Sequence, residues 1–378
     1  MTPLEARLVE ELRSNPPITF AGFMEQALYD PTHGYYASGI QRTGWAGDFV
    51  TSPEIDPAFG ALWASAFERA WEAAGQPDHF HAIEIGAGEG GFAHAVFDAV
   101  SGSFASALRY VIVERVPKVE ARQRDRLGHA GVTWVSKLQD VSAADAGCVI
   151  ANEVLDNLPV NLIERREGAL AELYVSEADG RLHLEPGAVS DPAIASYVET
   201  YGLAANDGAR AEVGLEAMRF VSAASHLLER GAMFLIDYGA TSEELARRES
   251  GTLVTYGADA SEDVLEAPGA RDITAHVNWS AIADTCRSSG STVTLLLSQR
   301  DALRALGLDD LDMALRREHA DAVASGRGVE AVRSLSRRQA LGVLSDAGGL
   351  GGLQVLVASK NLEPPFALTN PTAQGAGG

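Results

Sequence analysis

The sequence predicts an α/β fold, a doubly wound and mainly parallel sheet of the Rossmann-like kind. Three observations carry this. Short apolar runs alternate with amphipathic ones through the middle of the chain. The first such run, AIEIGAG, enters a glycine turn, and the second, YVIVE, ends on an acid, Glu114. Alternation of strands and helices buries a parallel sheet between helical layers.

Taken in order, an opening helix is expected from Pro3 to about Arg13. A second covers ITFAGFMEQALYD, where apolar residues recur at helical spacing up to Pro31. Thr32 to Pro57 is dense in glycine, aromatic and turn residues and reads as a structured loop. FGALWASAFERAWEAAG is an amphipathic helix. AIEIGAG, YVIVE, VTWVS and CVIANE follow as four strands, with GFAHAVFDAV and PKVEARQRDRL as helices among them. AEVGLEAMRFVSAASHLLERG reads as one helix before a fifth strand, AMFLIDYG. TVTLLLSQ and LQVLVASK are late strands flanking a helical stretch.

Two regions break the rhythm. Val160 to Glu185 alternates apolar and polar residues around a D-G turn, the pattern of a hairpin. Gly239 to Asp272 is irregular. The expected organisation is 1–77 as N-terminal helices and an active-site loop, and 78–361 as the core. Insertions at about 160–212 and 239–290 form a substrate lobe over the carboxyl edge of the sheet, where open α/β folds place ligands. The small, polar tail, 362–378, is expected to be disordered.

The 378 residues are 46% hydrophobic, enough for a core, with no apolar run long enough to span a membrane. The acids in MTPLEARLVEELR argue against a secretory or transit peptide. Two isolated cysteines, Cys148 and Cys286, make no disulfide framework, so a cytoplasmic protein is expected. A net charge of −22 disfavours nucleic acid and suits a cationic partner. His79 and His81 lack a third ligand at metal spacing, and no metal is expected.

Gly86, Gly88 and Gly91 fit G-x-G-x-x-G, with Gly90 inside the same turn. Glycine accepts positive φ and lets a ligand approach the backbone, and the helix that follows offers free N–H groups. Dinucleotide enzymes share this pattern, and in them too an acid such as Glu114 takes the ribose hydroxyls. What favours a methyl donor over a nicotinamide is Glu84, just before the turn, and Asn152-Glu153 with Asp156 after the fourth strand. Hydride transfer has no need of such acids.

The chain resembles the MidA-type methyltransferases, the family that includes a mitochondrial complex I assembly factor that dimethylates a protein arginine. The resemblance runs from about Ile18 to Asn361. Its motifs are YDPTHGYY (Tyr29 to Tyr36), GDFVTSPEIDPAFG (Gly47 to Gly60), IEIGAGEG, VERVPKVEARQRDRL and ANEVLDNLPV (Ala151 to Val160). LIDYG (Leu235 to Gly239), GTLVTY (Gly251 to Tyr256) and DITAHVNW (Asp272 to Trp279) complete them. It implies a class I methyltransferase fold with an N-terminal helical region and β-rich insertions. It also implies S-adenosyl-L-methionine as cofactor, enclosed by the GDFVTSPE loop and the ANE segment. Ala87 stands where such proteins usually carry proline, Gly257-Ala258-Asp259 where arginine and histidine are usual, and Val277-Asn278-Trp279 where VDF is. The last two changes fall on the substrate side.

Expected cofactor contacts are Asp48, Ser52, Pro53, Glu54, Glu84, Gly86, Ala87, Gly88, Gly90, Glu114, Arg115, Asn152 and Glu153. Ser52 or Glu54 could instead cap the next helix. Tyr35 and Tyr36 are core aromatics or pocket wall. Expected catalytic residues are Glu153, Asp156 and His276: paired carboxylates orient a guanidinium and take its proton. The expected partner is a protein or small-molecule methyl acceptor of cationic character, with a homodimer left open. Methylation of a protein arginine, methylation of a small molecule, and a non-catalytic assembly role remain as alternatives.

Overall fold

The computed structural model describes residues 1–38, 51–128, 131–257 and 263–362. The chain opens with α1 (Pro3–Leu12), β1 (Ile18–Thr19), α2 (Phe20–Tyr29), α3 (Ser52–Ile55) and α4 (Ala58–Ala73). Next come β2 (Phe80–Ile85), α5 (Gly91–Ala99), α6 (Gly102–Ala107), β3 (Leu108–Val113), α7 (Pro117–Leu127), β4 (Val132–Val135) and β5 (Ala144–Asn152). β6 (Asn161–Arg166), β7 (Ala169–Ala178) and β8 (Arg181–Gly187) precede α8 (Pro192–Tyr201), β9 (Arg210–Val213), α9 (Leu215–Ser225) and β10 (Leu228–Asp237). β11 (Gly239–Ala240), α10 (Ser242–Leu245), β12 (Val254–Tyr256), β13 (Asp272–Thr274), β14 (Val277–Asn278) and α11 (Trp279–Ser288) follow. β15 (Thr292–Ser298), α12 (Gln299–Ala305), α13 (Leu308–Ala324), α14 (Gly328–Leu344) and β16 (Gln354–Lys360) close the order.

These elements fall into two compact units. One comprises Met1–Arg42, Glu153–Ala223 and Asp237–Ser289; the other comprises Thr43–Asn152, Ala224–Ile236 and Gly290–Gly378. The second unit holds a seven-stranded sheet ordered β15-β16-β10-β5-β2-β3-β4. The β10–β5, β5–β2, β2–β3 and β3–β4 pairs are parallel and β15–β16 is antiparallel. This is the doubly wound, Rossmann-like sheet that the alternation predicts. β5 is buried on both faces from Ala146 to Ala151, which is why CVIAN reads as one continuous apolar run. α4 lies so close to α5 that a Cβ on Gly60 would stand 2.6 Å from the Ala95 Cβ.

The first unit holds the antiparallel sheet β1-β7-β6-β9, with β8 paired to β7. The expected D-G turn joins β7 to β8, with φ of 52° at Asp179 and 78° at Gly180, as a two-residue hairpin of the primed type requires. The stretch expected as one helix before the fifth strand is corrected here. Ala211 to Val213 belongs to β9, paired with β6, and only Leu215–Ser225 is helical before β10 begins at Leu228. Val213 is fully buried and Ala211 nearly so, because β6 offers an unpaired strand edge that outweighs helical periodicity. Among the described residues no helix is long and apolar enough to cross a membrane.

Candidate active site

The glycine turn leaves β2 with φ of 69° at Gly86, 52° at Gly88 and 79° at Gly90, a region that penalises any residue with a Cβ. Gly86 N–H donates to the Val113 carbonyl at 3.1 Å and Gly90 N–H to the Ala87 carbonyl at 2.8 Å. Ala87 itself is buried. Among the described residues, a Cβ on Gly88 would meet no atom within 4 Å, so this part of the turn faces space that a side chain would fill. Beneath the turn, buried Glu84 accepts the Tyr110 hydroxyl at 2.7 Å, and burial pushes its carboxyl up to about 7.

Glu114 lies one residue beyond β3 and is 8% exposed. Its Oε1 accepts the Val116 N–H at 2.8 Å and its Oε2 accepts Gln123 Nε2–H at 3.1 Å. Burial raises its pKa to about 7 even though both bonds favour the charged form. A carboxylate has about four acceptor sites, so one remains on each oxygen. That is the acceptor pair a vicinal ribose diol needs, and together with the space at Gly88 it fits an adenosine-bearing cofactor. The neighbouring Arg115 is exposed.

The α3 residues behave differently. Ser52 has no exposure, and its hydroxyl donates to Gln299 Oε1 at 3.1 Å, so here it is a packing residue and not open to a ligand. Pro53 follows it in the first turn. Glu54 pairs with Arg126 at 3.1 Å, and its Oε1 would lie 2.6 Å from a Cβ on Gly91, against the start of α5. Asp48 lies outside the described residues. Asn152 ends β5, in register with Ile236 of β10.

The first unit carries a carboxylate cluster. Glu153, directly after β5, has φ of 53°, a left-handed conformation that costs a non-glycine residue roughly 1–2 kcal/mol. Asp237 has no exposure, and its Oδ2 accepts the N–H groups of Val154, Leu155 and Asp156 at 3.0, 2.7 and 3.2 Å. Its Oδ1 takes the Tyr238 N–H at 2.8 Å. Asp156 is 5% exposed, and its Oδ1 has no hydrogen-bond partner among the described residues. Burial, then Asp237, Asp272 and Glu153, hold its pKa far above the usual carboxylate range. Asp237 is raised to about 7 by burial, against its N–H bonds.

Asn157 ties this loop to β13. Its Nδ2 donates to Asp272 Oδ1 at 3.0 Å and to the Ile273 carbonyl at 3.2 Å. Its Oδ1 accepts the Tyr36 hydroxyl at 2.9 Å. Tyr35 is fully buried and stands edge-on to Tyr36, so one tyrosine is core and the other binds polar groups.

His276 lies beside Arg248. Arg248 donates to its Nδ1 at 3.1 Å, since arginine has no acceptor. The neutral ring then carries its proton on Nε2 and has no free acceptor. Burial and Arg248 both lower its pKa.

Sequence reasoning missed Asp237, Asp272, Asn157 and Gln123. Asp237 was accessible, since it ends a parallel strand, the position where acids meet ligands in open α/β sheets. Gln123 carried no signal, being one polar residue on a polar helix.

Residues 62–296 match the family model described as "Putative S-adenosyl-L-methionine-dependent methyltransferase". The chain belongs to this family. It is an S-adenosylmethionine-dependent methyltransferase of class I fold, as the MidA-type motifs imply. It is similar to a Burkholderia thailandensis protein solved with S-adenosyl-homocysteine bound, at 30% identity and a TM-score of 0.83, over 96% of this chain and 93% of that one. The Bos taurus protein arginine methyltransferase NDUFAF7, mitochondrial, is 29% identical over 346 residues, 82% of this chain and 74% of its own length. The Danio rerio protein of the same name is 27% identical over 334 residues, 80% and 76% of the respective chains.

Proposed function

We propose that the methyl acceptor is the guanidinium of an arginine in a protein. The observation that carries the reading is Asp156, a buried carboxyl with one oxygen unpartnered among the described residues, beside Glu153, Asp237 and Asp272. A planar cation with several N–H donors satisfies such a group and returns it to the ionised state, and arginine does so bidentately. The names of the curated relatives support the same acceptor.

When bound, S-adenosylmethionine supplies an electrophilic methyl group on a sulfonium. The chain's residues do the rest. Gly86, Gly88 and Gly90 would let the cofactor approach the backbone closely, and Glu114 would take its ribose hydroxyls. Asp156 orients the guanidinium, and Glu153 accepts the proton that the methylated nitrogen sheds. Asp237 holds the loop bearing both. Positioning supplies most of the rate in such an in-line displacement.

Two buried free cysteines support a cytoplasmic location, although the relatives are named mitochondrial. The charge of −22 supports a cationic partner and speaks against nucleic acid. The test is transfer of labelled methyl groups into cell extract followed by size fractionation and hydrolysis. Label is expected in protein, as methylarginine; label in small molecules alone would replace the reading with small-molecule methylation.

A further inference from the structure

The amide of Gln123 joins the glycine turn to the acid after β3. Gln123 has no exposure, and its amide meets three partners. Trp134 Nε1–H can only donate, so the atom it meets at 3.1 Å is Gln123 Oε1. That fixes the amide's orientation, and Nε2 faces two acceptors: the Gly88 carbonyl at 2.9 Å and Glu114 Oε2 at 3.1 Å. One proton goes to each. The α7 backbone supports this placement, for a Cβ on Gly90 would lie 3.6 Å from the Gln123 Cα.

We infer that Gln123 is a positioning residue for cofactor recognition, setting Glu114 so that its two remaining lone pairs receive a ribose diol. The inference rests on the reading that Glu114 holds the ribose. A freely rotating carboxylate would spread four acceptor sites over many orientations. Here Val116 N–H occupies one site on Oε1 and Gln123 one on Oε2, leaving one on each oxygen in a fixed plane. The same amide anchors Gly88, whose outer side is open. Turn and acid therefore move as one piece, and a shift in either costs a buried hydrogen bond. Glutamine suits the task because it donates twice without bringing charge. Glutamate would set a second carboxylate against Glu114, and leucine would cost Glu114, Gly88 and Trp134 one hydrogen bond each.

The test is calorimetric binding of S-adenosylhomocysteine and of its 2′,3′-dideoxy analogue to wild type, Gln123→Leu, Trp134→Phe and Glu114→Ala. Wild type should prefer the hydroxylated ligand by tenfold or more, and Glu114→Ala should abolish the preference. Gln123→Leu should lose most of it while binding the dideoxy analogue nearly as well as wild type does. Trp134→Phe, which removes the N–H orienting the amide together with part of the ring, should lose part of it. A purely structural role would weaken both ligands equally. A preference left intact in both Gln123→Leu and Trp134→Phe overturns the inference alone. Wild type indifferent to the hydroxyls overturns the Glu114 reading and the inference together. If Gln123→Leu fails to fold, Trp134→Phe decides between these outcomes.

Discussion

The carboxylate of Asp237 accepts the Leu155 N–H at 2.7 Å and, through the same oxygen, the N–H groups of Val154 and Asp156. One buried oxygen thus shapes the loop that carries both proposed acceptor-binding acids. Asp237→Ala takes the acceptor from four N–H groups, those of Val154, Leu155, Asp156 and Tyr238, at about 1–3 kcal/mol for each that stays enclosed, before relaxation. Asp237→Asn keeps an acceptor oxygen and should lose clearly less. Urea unfolding of the two variants checks this; equal losses would mean that the N–H groups find other acceptors.

Glu153 pays for its position in backbone strain, with φ of 53°. Glu153→Gly removes that strain, whereas Glu153→Ala keeps it. Glycine should therefore be the more stable of the two by about 1 kcal/mol, the reverse of their order in a helix or strand. Both should lose methyl transfer. Thermal unfolding of the pair is the measurement, and alanine as the more stable variant would contradict the strained conformation.

Cofactor affinity should depend on pH through Glu114. Its carboxyl sits near 4.5 unperturbed and about 7 in the fold. Stability from the retained proton is complete below about 4.5 and is lost as pH rises through about 7. A ribose held by the ionised form must displace that proton. S-adenosylhomocysteine should therefore bind more tightly as pH rises through about 7, with proton release below it and a plateau above. Calorimetry in buffers of different ionisation enthalpy reads the proton directly. Glu114→Gln should remove most of the dependence; an unchanged profile would assign it to another group.

The contact of α4 with α5 gives a prediction free of catalysis. A Cβ on Gly60 would meet the Ala95 Cβ at 2.6 Å and the Phe92 carbonyl at 2.9 Å. Gly60→Ala must push the helices apart, at about 1–3 kcal/mol for overpacking. Its better helix propensity, worth about 1 kcal/mol, offsets only part. Chemical denaturation should show a net loss, and a gain would mean that the helices separate freely.

The doubly wound sheet was legible because its strands are short apolar runs bounded by glycine and by acids: the glycine turn follows β2, Glu114 follows β3 and Glu153 follows β5. The antiparallel sheet was half legible. Asp179-Gly180 announced one turn, but β9 hid in a run of helical composition, since what makes it a strand is the edge of β6. Glu114, Glu153 and Asp156 could be named from their places at strand ends. Gln123 and Asp272 could not, because they act through residues far away in sequence: Gly88 is 35 positions from Gln123, and Asn157 is 115 from Asp272. The contact of His276 with Arg248, 28 positions earlier, was equally out of reach of the sequence.

The most direct test of guanidinium methylation supplies labelled S-adenosylmethionine with arginine and lysine peptides to wild type, Glu153→Gln and Asp156→Asn, and locates the label by mass spectrometry. The account predicts label on arginine nitrogen in wild type. It predicts a kcat lowered about 10²–10⁴-fold in Glu153→Gln at unchanged S-adenosylhomocysteine affinity, and a raised acceptor KM in Asp156→Asn. Label on lysine or on a hydroxyl, or full arginine methylation by both variants, would contradict it.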